Sequence, residues 1–270
     1  MYIRILPIAL LPFALFAQDS TIEDGGVSVQ LNYWLTRTAP VVRGGKASPA
    51  VRTLESPDFD FPGQTKYAAG AMISFPAGKQ NSLRISYFRA QGSGDTTATV
   101  DQALFGTPFN KGDRFVTSYR IESARVSWDY LSYTYAASGL RIKTLWEAQY
   151  AAIHSRIDAP LNPIATSTDG VTTYNYGEGT KYVILPAFGL ELEQAKGKHF
   201  RWEAKGSGFG LPKRAMMWNA EAAAVLRFER WEILAGGRAF QVKTSPKDDA
   251  YFKQTLYGPY VGVRWYLEKR

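Results

Sequence analysis

The chain of 270 residues contains no cysteine and has only two histidines, His154 and His199. The absence of cysteine excludes disulfide frameworks, thiolate nucleophiles and thiolate metal sites. Two histidines far apart in the chain argue against a metal centre built on several imidazoles. Aromatic residues make up 14% of the chain and charged residues 21%, which is too aromatic and too weakly charged for a disordered protein.

The sequence also lacks a long apolar run beyond its N-terminus. There, one positive charge at Arg4 precedes an apolar run from Ile5 to Phe16, and Ala17 is a small residue suited to cleavage. A membrane anchor is the alternative, but about 20 apolar residues are needed to span a bilayer, and this run is shorter and contains two prolines. We therefore predict a cleaved signal peptide over residues 1–17. Any later membrane span must consist of strands.

A two-residue alternation dominates the chain after residue 25. It is clearest over Leu140–Ile157, where one parity contains Trp146 and Ala148 and the other contains Lys143 and Glu147. In a strand these two sets point to opposite faces, so one face is apolar and the other charged. On a helix the same residues would be scattered around the cylinder. The pattern therefore predicts a strand.

The same alternation predicts ten strands in all. The segment 113–132 changes phase near Ser123, which either a β-bulge or a mixed upper half of the strand would explain. The predicted strands cover residues 26–35, 67–75, 82–90, 113–132, 140–157, 181–194, 200–206, 215–227, 231–243 and 253–267.

The connections between these strands are alternately long and short. Each odd-numbered connection is longer than those beside it, and the longest cover residues 36–66, 91–112 and 158–180. The short ones contain tight-turn residues, as in Pro76–Lys79 and Lys196–Lys198. A soluble sandwich has no reason to follow such a rule. Bacterial outer-membrane barrels do, because their periplasmic turns are short and their extracellular loops are long.

With its signal peptide, even strand count, loop alternation and final strand over 257–267, the chain resembles the Gram-negative outer-membrane β-barrel superfamily, the small barrels of the outer-membrane protein A and W types. The resemblance implies an all-β fold: a transmembrane antiparallel up-and-down β-barrel of about ten strands, with short periplasmic turns and long extracellular loops. It implies residence in the outer membrane, a periplasmic segment over 18–25 and a barrel domain over 26–270. The implied partners are outer-membrane lipid, lipopolysaccharide and the barrel-assembly machinery, and the implied state is a monomer.

The alternation assigns two sets of residues to the barrel. Nine basic and seven acidic side chains fall on the parity expected to face the lumen, where opposite charges should pair: Arg84, Arg125, Asp129, Arg141, Lys143, Glu147, Glu191, Glu193, Arg201, Glu203, Lys205, Glu221, Arg227, Glu232, Arg238 and Arg264. Aromatic residues near strand ends are expected to form two girdles at the headgroup level: Trp34, Tyr67, Phe75, Tyr130, Tyr133, Tyr182, Phe200, Trp202, Phe228, Trp231, Trp265 and Tyr266. Tyrosine and tryptophan are also common in strands of any β protein, which is the alternative explanation.

We predict a passive function, either a narrow pore or a structural and surface-interaction barrel. Ten strands should leave little free bore, since an eight-stranded barrel is already nearly filled by side chains. A soluble exported lipocalin-like carrier of apolar ligands is the alternative. The two classes differ in whether the apolar parity faces outward or inward.

We predict no enzymatic activity, no catalytic or metal site and no cofactor. An omptin-like outer-membrane hydrolase would need a histidine and acidic residues that face each other at the outer mouth. His154 is followed by Asp158, but the sequence has no Asp-x-His pair, and Ser155 points to the face opposite His154. The formal charge of +8 indicates contact with acidic headgroups or lipopolysaccharide phosphates, not nucleic acid, because the chain is exported.

The topology has a direct test. The three longest connections should face the cell exterior, so Arg52 should be cleaved by trypsin added to intact cells, whereas Lys79 and Lys198 in short turns should be protected. Mass spectrometry of the released peptides identifies the sites. Cleavage at the two lysines with protection of Arg52 would reverse the orientation.

Overall fold

A computed structural model describes residues 26–36, 40–43, 58–62, 67–166, 172–212, 214–245 and 251–267. The predicted signal peptide and the segment 18–25 lie outside these ranges. The described residues contain no helix long and apolar enough to cross a membrane. Their strands are β1 (Ser28–Trp34), β2 (Val41–Arg43), β3 (Asp58–Asp60), β4 (Ala68–Pro76), β5 (Asn81–Thr97), β6 (Gln102–Leu104), β7 (Thr107–Phe109), β8 (Arg114–Tyr135), β9 (Leu140–Thr166), β10 (Thr172–Lys196), β11 (Phe200–Leu211), β12 (Ala215–Phe228), β13 (Trp231–Lys243) and β14 (Tyr251–Tyr266).

Ten of these strands form a closed antiparallel ring. Their order is β1, β4, β5, β8, β9, β10, β11, β12, β13 and β14, so each neighbours the next long strand in the chain. The ring closes where β1 pairs with β14, from Ser28 opposite Tyr266 to Trp34 opposite Tyr260. Closure leaves no unpaired edge, as a sheet in lipid requires. The structure confirms the predicted all-β, ten-stranded up-and-down barrel.

The two ends of the barrel differ, although less regularly than predicted. The start of β1, the last residue of β14 and four tight turns lie at one end of the barrel, and the longer connections lie at the other. The segments 91–112 and 158–180 are not loops throughout, because β5 continues to Thr97 and the β9–β10 hairpin continues to Thr166 and Thr172. The connection between β11 and β12 is as short as the turn before β11. The strict rule of alternating lengths is therefore wrong at this connection.

The interior of the barrel changes from charged to apolar along its length, although the same row of side chains on each strand faces inward throughout. In the half near the tight turns this row is mainly charged; in the other half it is mainly apolar. On β8, Asp129 and Arg125 share the inward row with Ile121 and Phe115, and the pairing with β5 is continuous past Ser123. The phase change near Ser123 is therefore the mixed upper half and not a bulge. The register shift in β8 lies lower, between Leu131 and Tyr133.

The apolar half is a packed core that fills the outer part of the barrel. Phe88 contacts Phe240 edge to face, with ring centroids 5.0 Å apart, and Phe109 contacts Phe115 at 4.9 Å. The first long connection contains β2 and β3. β2 pairs with the first residues of β14 and places Val42 in this core. Buried aromatic pairs of this kind stabilise a core beyond the area they bury.

The polarity of the outer surface changes in the opposite sense along the barrel. Around the charged half, outward side chains are apolar and exposed, as with Trp146 on β9 and Ile184 on β10. Farther along the same rows, the outward residues become His154 and Arg156 on β9 and Glu178 on β10. A belt of exposed apolar side chains around a polar interior is the arrangement of a transmembrane barrel. The barrel therefore extends beyond the belt into a polar environment.

Most of the predicted girdle residues face outward near the edges of the apolar belt. Near the tight turns Trp231 stacks on Trp265, with centroids 5.7 Å apart. At the opposite edge Tyr67 stacks on Tyr33 at 5.5 Å. The girdle residues with outward side chains are Tyr67, Phe75, Tyr130, Tyr133, Tyr182, Phe200, Trp202, Phe228, Trp231 and Trp265.

Two predicted girdle residues point inward instead. Trp34 is 1% exposed, because it shares the inward row of β1 with Gln30. Tyr266 is 5% exposed, because it shares the inward row of β14 with Arg264. Their place near strand ends suggested a girdle, but strand parity decides the face.

A pair of neighbouring substitutions tests which row meets lipid. Ala148 faces outward between Val126 and Pro186, so Ala148→Arg should lower the folded fraction, because arginine on the lipid face costs about 2–4 kcal/mol near the midplane. Glu147 faces inward, and Glu147→Gln can keep the hydrogen bond that Gln149 donates at 2.6 Å. Its ion pair with Arg125 is long, at 3.5 Å, and Arg125 keeps a hydrogen bond to Asn219 at 2.6 Å, so this change should cost less than Ala148→Arg. Heat-modifiable mobility on gels after refolding into vesicles measures the folded fraction. Greater loss in Glu147→Gln would assign the lipid face to the other row.

Candidate functional site

The lumen is the first candidate site, because every charge predicted to face it lies on an inward row. The strands that carry them alternate at two-residue spacing, which brings side chains of neighbouring and opposite strands together. Most of the sixteen are buried, and Arg84, Arg125, Arg141, Arg227 and Arg238 are half-buried. Charges taken out of water are tolerated only when they are paired and hydrogen-bonded. The contacts of each group therefore decide whether the lumen is open or filled.

Glu232 is the centre of the ion-pair network near the tight turns. Its carboxylate accepts hydrogen bonds from Arg201 at 2.7 Å, Arg227 at 2.8 Å and Arg264 at 2.9 Å. The hydroxyl of Tyr266 donates a further bond at 3.0 Å. Four donors from three strands therefore converge on one carboxylate. This network spans the lumen as well as its wall, since β11 is not a neighbour of β13 or β14 in the ring.

A second network joins β5, β8, β9 and β10. Arg84 forms ion pairs with both Asp129 and Glu191, which connects β5 to β10 across two intervening strands. Beside it, Glu193 forms ion pairs with Arg141 at 2.7 Å and with Lys143 at 3.1 Å. Ion pairs between strands that are not neighbours occupy the middle of the lumen.

The charged and apolar halves meet at Arg238. Its guanidinium lies 4.9 Å from the ring centroid of Phe88 and 5.2 Å from that of Trp34, in cation–π contact with both. Its Nε lies 3.8 Å from Glu221, which also accepts a hydrogen bond from the Tyr260 hydroxyl at 2.7 Å. Arg238 thus has an aromatic partner on one side and an anionic partner on the other.

The outer mouth is covered by the β6–β7 hairpin. Its turn places Phe105 at φ 53° and Gly106 at φ 78°, and Phe105 stacks on Phe252 with ring centroids 5.9 Å apart. Thr107 donates a hydrogen bond to the Tyr176 carbonyl at 3.0 Å, which ties the hairpin to β10. Gly177 lies under the hairpin, where a Cβ would be 2.8 Å from the Leu104 carbonyl oxygen. Only glycine leaves room for this approach.

The residues weighed for catalysis are not assembled into a site. His154 faces the outer wall, where its Nδ1 lies 2.9 Å from the Thr180 hydroxyl, and Ser155 is on the inward row. Asp158 accepts hydrogen bonds from Arg156 at 2.8–3.0 Å, and these bonds raise the pKa of Arg156 above its ordinary value. Within the described ranges, no group of three or more acidic or histidine side chains is placed to hold a metal ion.

A second candidate site, which the sequence pattern did not indicate, is a groove on the outer wall. It crosses β5, β8, β9 and β10 just beyond the apolar belt and has a volume of about 670 Å³. Its outward lining includes Arg89, Arg120, His154, Arg156 and Glu178. The change of phase near Ser123 could have revealed this groove. A charge such as that of Arg120 on the outward row indicates that this row has left the membrane at that level.

Comparisons with known proteins agree with this architecture. No family model and no curated protein matches the sequence. Among solved structures, the outer membrane protease OmpT of Escherichia coli matches with a TM-score of 0.58 at 11% identity, covering 93% of this chain and 99% of that one. The transport unit of the autotransporter AIDA-I from Escherichia coli matches with a TM-score of 0.39 at 10% identity, covering 93% of each chain.

At such identity the likeness to OmpT shows the fold alone, which is that of a closed antiparallel β-barrel. It agrees with the predicted β-barrel fold.

The Glu232 network has a measurable contribution to stability. Glu232→Gln removes the charge that three arginines share, so we expect the free energy of unfolding to fall by about 3 kcal/mol or more, the usual loss when one partner of a buried ion pair is removed. Urea unfolding in lipid vesicles measures it.

The control is Asp95→Asn, which breaks an exposed ion pair with Arg114 at 3.0 Å. It should cost about 0–1 kcal/mol. Equal losses in the two variants would mean that the lumen network contributes no more than a surface pair.

Proposed function

We propose that this chain is a closed, non-conducting outer-membrane barrel with a structural and surface-interaction role. The observation that carries the proposal is the filling of the lumen at two levels. At the level of the belt, ion pairs such as Arg84–Glu191 and Arg264–Glu203 join strands that are not neighbours in the ring. Beyond the belt, Phe115, Ile121 and Ile153 belong to a packed apolar core and are fully buried.

These two levels favour a filled barrel over a narrow pore. An ion that crossed the lower level would have to displace paired charges. It would then meet a mainly apolar core, whose scattered hydroxyl and amide groups, such as those of Thr117 and Gln254, replace little of its hydration. Phe105 and Phe252 lie over this core at the mouth. The excess of basic over acidic side chains in the lumen would repel cations from any bore that remained.

The half of the barrel beyond the belt supports the surface-interaction role. A barrel that serves only as a membrane anchor needs no strands much longer than the apolar belt. Here β9 and β10 continue to Thr166 and Thr172, and Tyr174 and Tyr176 are exposed on the protruding hairpin. We propose outer-membrane lipid and lipopolysaccharide as partners around the wall, the barrel-assembly machinery during insertion, no nucleic acid, and a monomeric state.

The two alternatives fit the contacts less well. A lipocalin-like carrier would place its apolar row inward at every level, whereas charges occupy the inward row at the belt, and the apolar residues beyond it pack on one another. An omptin-like hydrolase would need its acids and histidine to face each other, whereas His154 faces outward and Asp158 is bonded to Arg156. We therefore propose a protein without enzymatic activity.

Planar-bilayer recording of the refolded mature chain tests the proposal. We expect no discrete conductance steps, while a porin refolded in the same way gives steps under the same conditions. Heat-modifiable mobility of the protein recovered from the bilayer lipid shows that it has inserted. Discrete steps that change in size in Glu191→Gln would show an open lumen and overturn the closed-barrel function.

A further inference from the structure

The wall groove combines positive charge with neutral hydrogen-bonding groups. Arg89 and Arg120 line it on β5 and β8, two strands that pair directly, and Glu178 on β10 is an acidic lining residue. Gln91, Ser93 and Ser118 line it between the charges. The groove therefore offers donors for an anion together with amide and hydroxyl groups for a polyhydroxylated ligand.

Arg89 and Arg120 are less fully compensated than Arg156, the third arginine of the groove. Arg156 is held by Asp158 in two hydrogen bonds from Nε and one from Nη2, and it lies 3.8 Å from Glu178. By contrast, Arg89 donates to the neutral amide of Gln91 at 2.9 Å.

Arg120 is the least satisfied of these groups. Its Nε forms an ion pair with Glu122 at 3.5 Å, which is too long for a good hydrogen bond. That nitrogen is buried without a hydrogen-bond partner among the described residues, although 43% of the side chain is exposed. A guanidinium in this state favours an anion that can accept from it.

The groove lies at the height where lipid headgroups begin. On β9 the outward row runs from Trp146 through Tyr150 to His154, and Tyr150 stacks on Tyr182 with ring centroids 6.3 Å apart. Tyrosines of this kind mark the boundary of the apolar belt. The His154 ring meets Tyr182 edge to face at 6.2 Å, so the groove begins where the tyrosine girdle ends.

We propose that this groove binds the headgroup of a phosphorylated saccharolipid, with Arg89 and Arg120 on a phosphate and the neutral side chains on sugar hydroxyls. The occupant follows from charge and size together: a groove of about 670 Å³ holds far more than one phosphate. Acyl chains of such a lipid would continue along the apolar wall below the tyrosines. The assignment rests on the proposed membrane role and names one partner of that wall.

Native mass spectrometry of the detergent-refolded chain with diphosphorylated lipid A tests the site. We expect Arg89→Gln/Arg120→Gln to weaken binding by about tenfold or more, since each arginine supplies charge-assisted hydrogen bonds. The matched control is Lys111→Gln/Arg114→Gln, which removes the same charge from exposed positions outside the groove and should bind like the unaltered chain.

Three further results would contradict the site. Equal weakening by both double variants would mean general attraction to positive charge. Undiminished binding of dephosphorylated lipid A would remove the phosphate contact. Inorganic phosphate that competes at the same concentration as lipid A would make the groove a free-anion site. The two proposals fail separately, because conductance reports on the lumen and lipid binding reports on the wall.

Discussion

Backbone hydrogen bonding in lipid is the constraint on which this structure depends. An amide or carbonyl exposed to hydrocarbon without a partner costs several kcal/mol, so a sheet that spans a membrane must close. Pairing of β1 with β14 closes it, and with ten strands the closed ring fixes a narrow lumen. Everything inside must then pack within that space. The ion pairs and the apolar core both fill a lumen of fixed width. The ion pairs lie where the outer wall is apolar, and the apolar core lies where the outer wall is polar.

Those two fillings contribute differently to the fold. An apolar core is stabilised by the area it buries and by aromatic contacts such as Phe88–Phe240. An ion-pair network gains little net energy once desolvation is counted, but it penalises every arrangement in which a charge loses its partner. Glu232, with three arginines and a tyrosine, therefore acts mainly to specify which strands face one another. Arg238 belongs to both systems and holds the boundary between them at one height.

Much of this architecture could be predicted from the sequence because strand parity is a local signal. The ten strands, their boundaries near the tight turns and the face of each charge in Leu140–Ile157 all follow from period-two alternation. Parity shows which residues share a face, but it does not show whether that face meets lipid, water or the barrel interior. These surroundings change along β8 and β9. Phe115 and Asp129 share a row although one is apolar and the other charged, so polarity alone cannot assign both to the correct face. The β2–β3 and β6–β7 pairs and the contact of Phe105 with Phe252 depend on long-range packing that no local pattern records.

The apolar core at the outer mouth also constrains how the protein is assembled. Val42, Phe61 and Phe105 belong to connections at the end away from the tight turns, so a chain that inserts from the side of the tight turns must carry them across the membrane. These connections must therefore be translocated before the lumen is filled, since the completed ion-pair level leaves no passage for them. The seam between β1 and β14 is the one junction that joins the first strand to the last, so it must form late. Insertion is thus vectorial: the apolar core at the far end of the barrel forms first, and the ion-pair network near the tight turns forms after it.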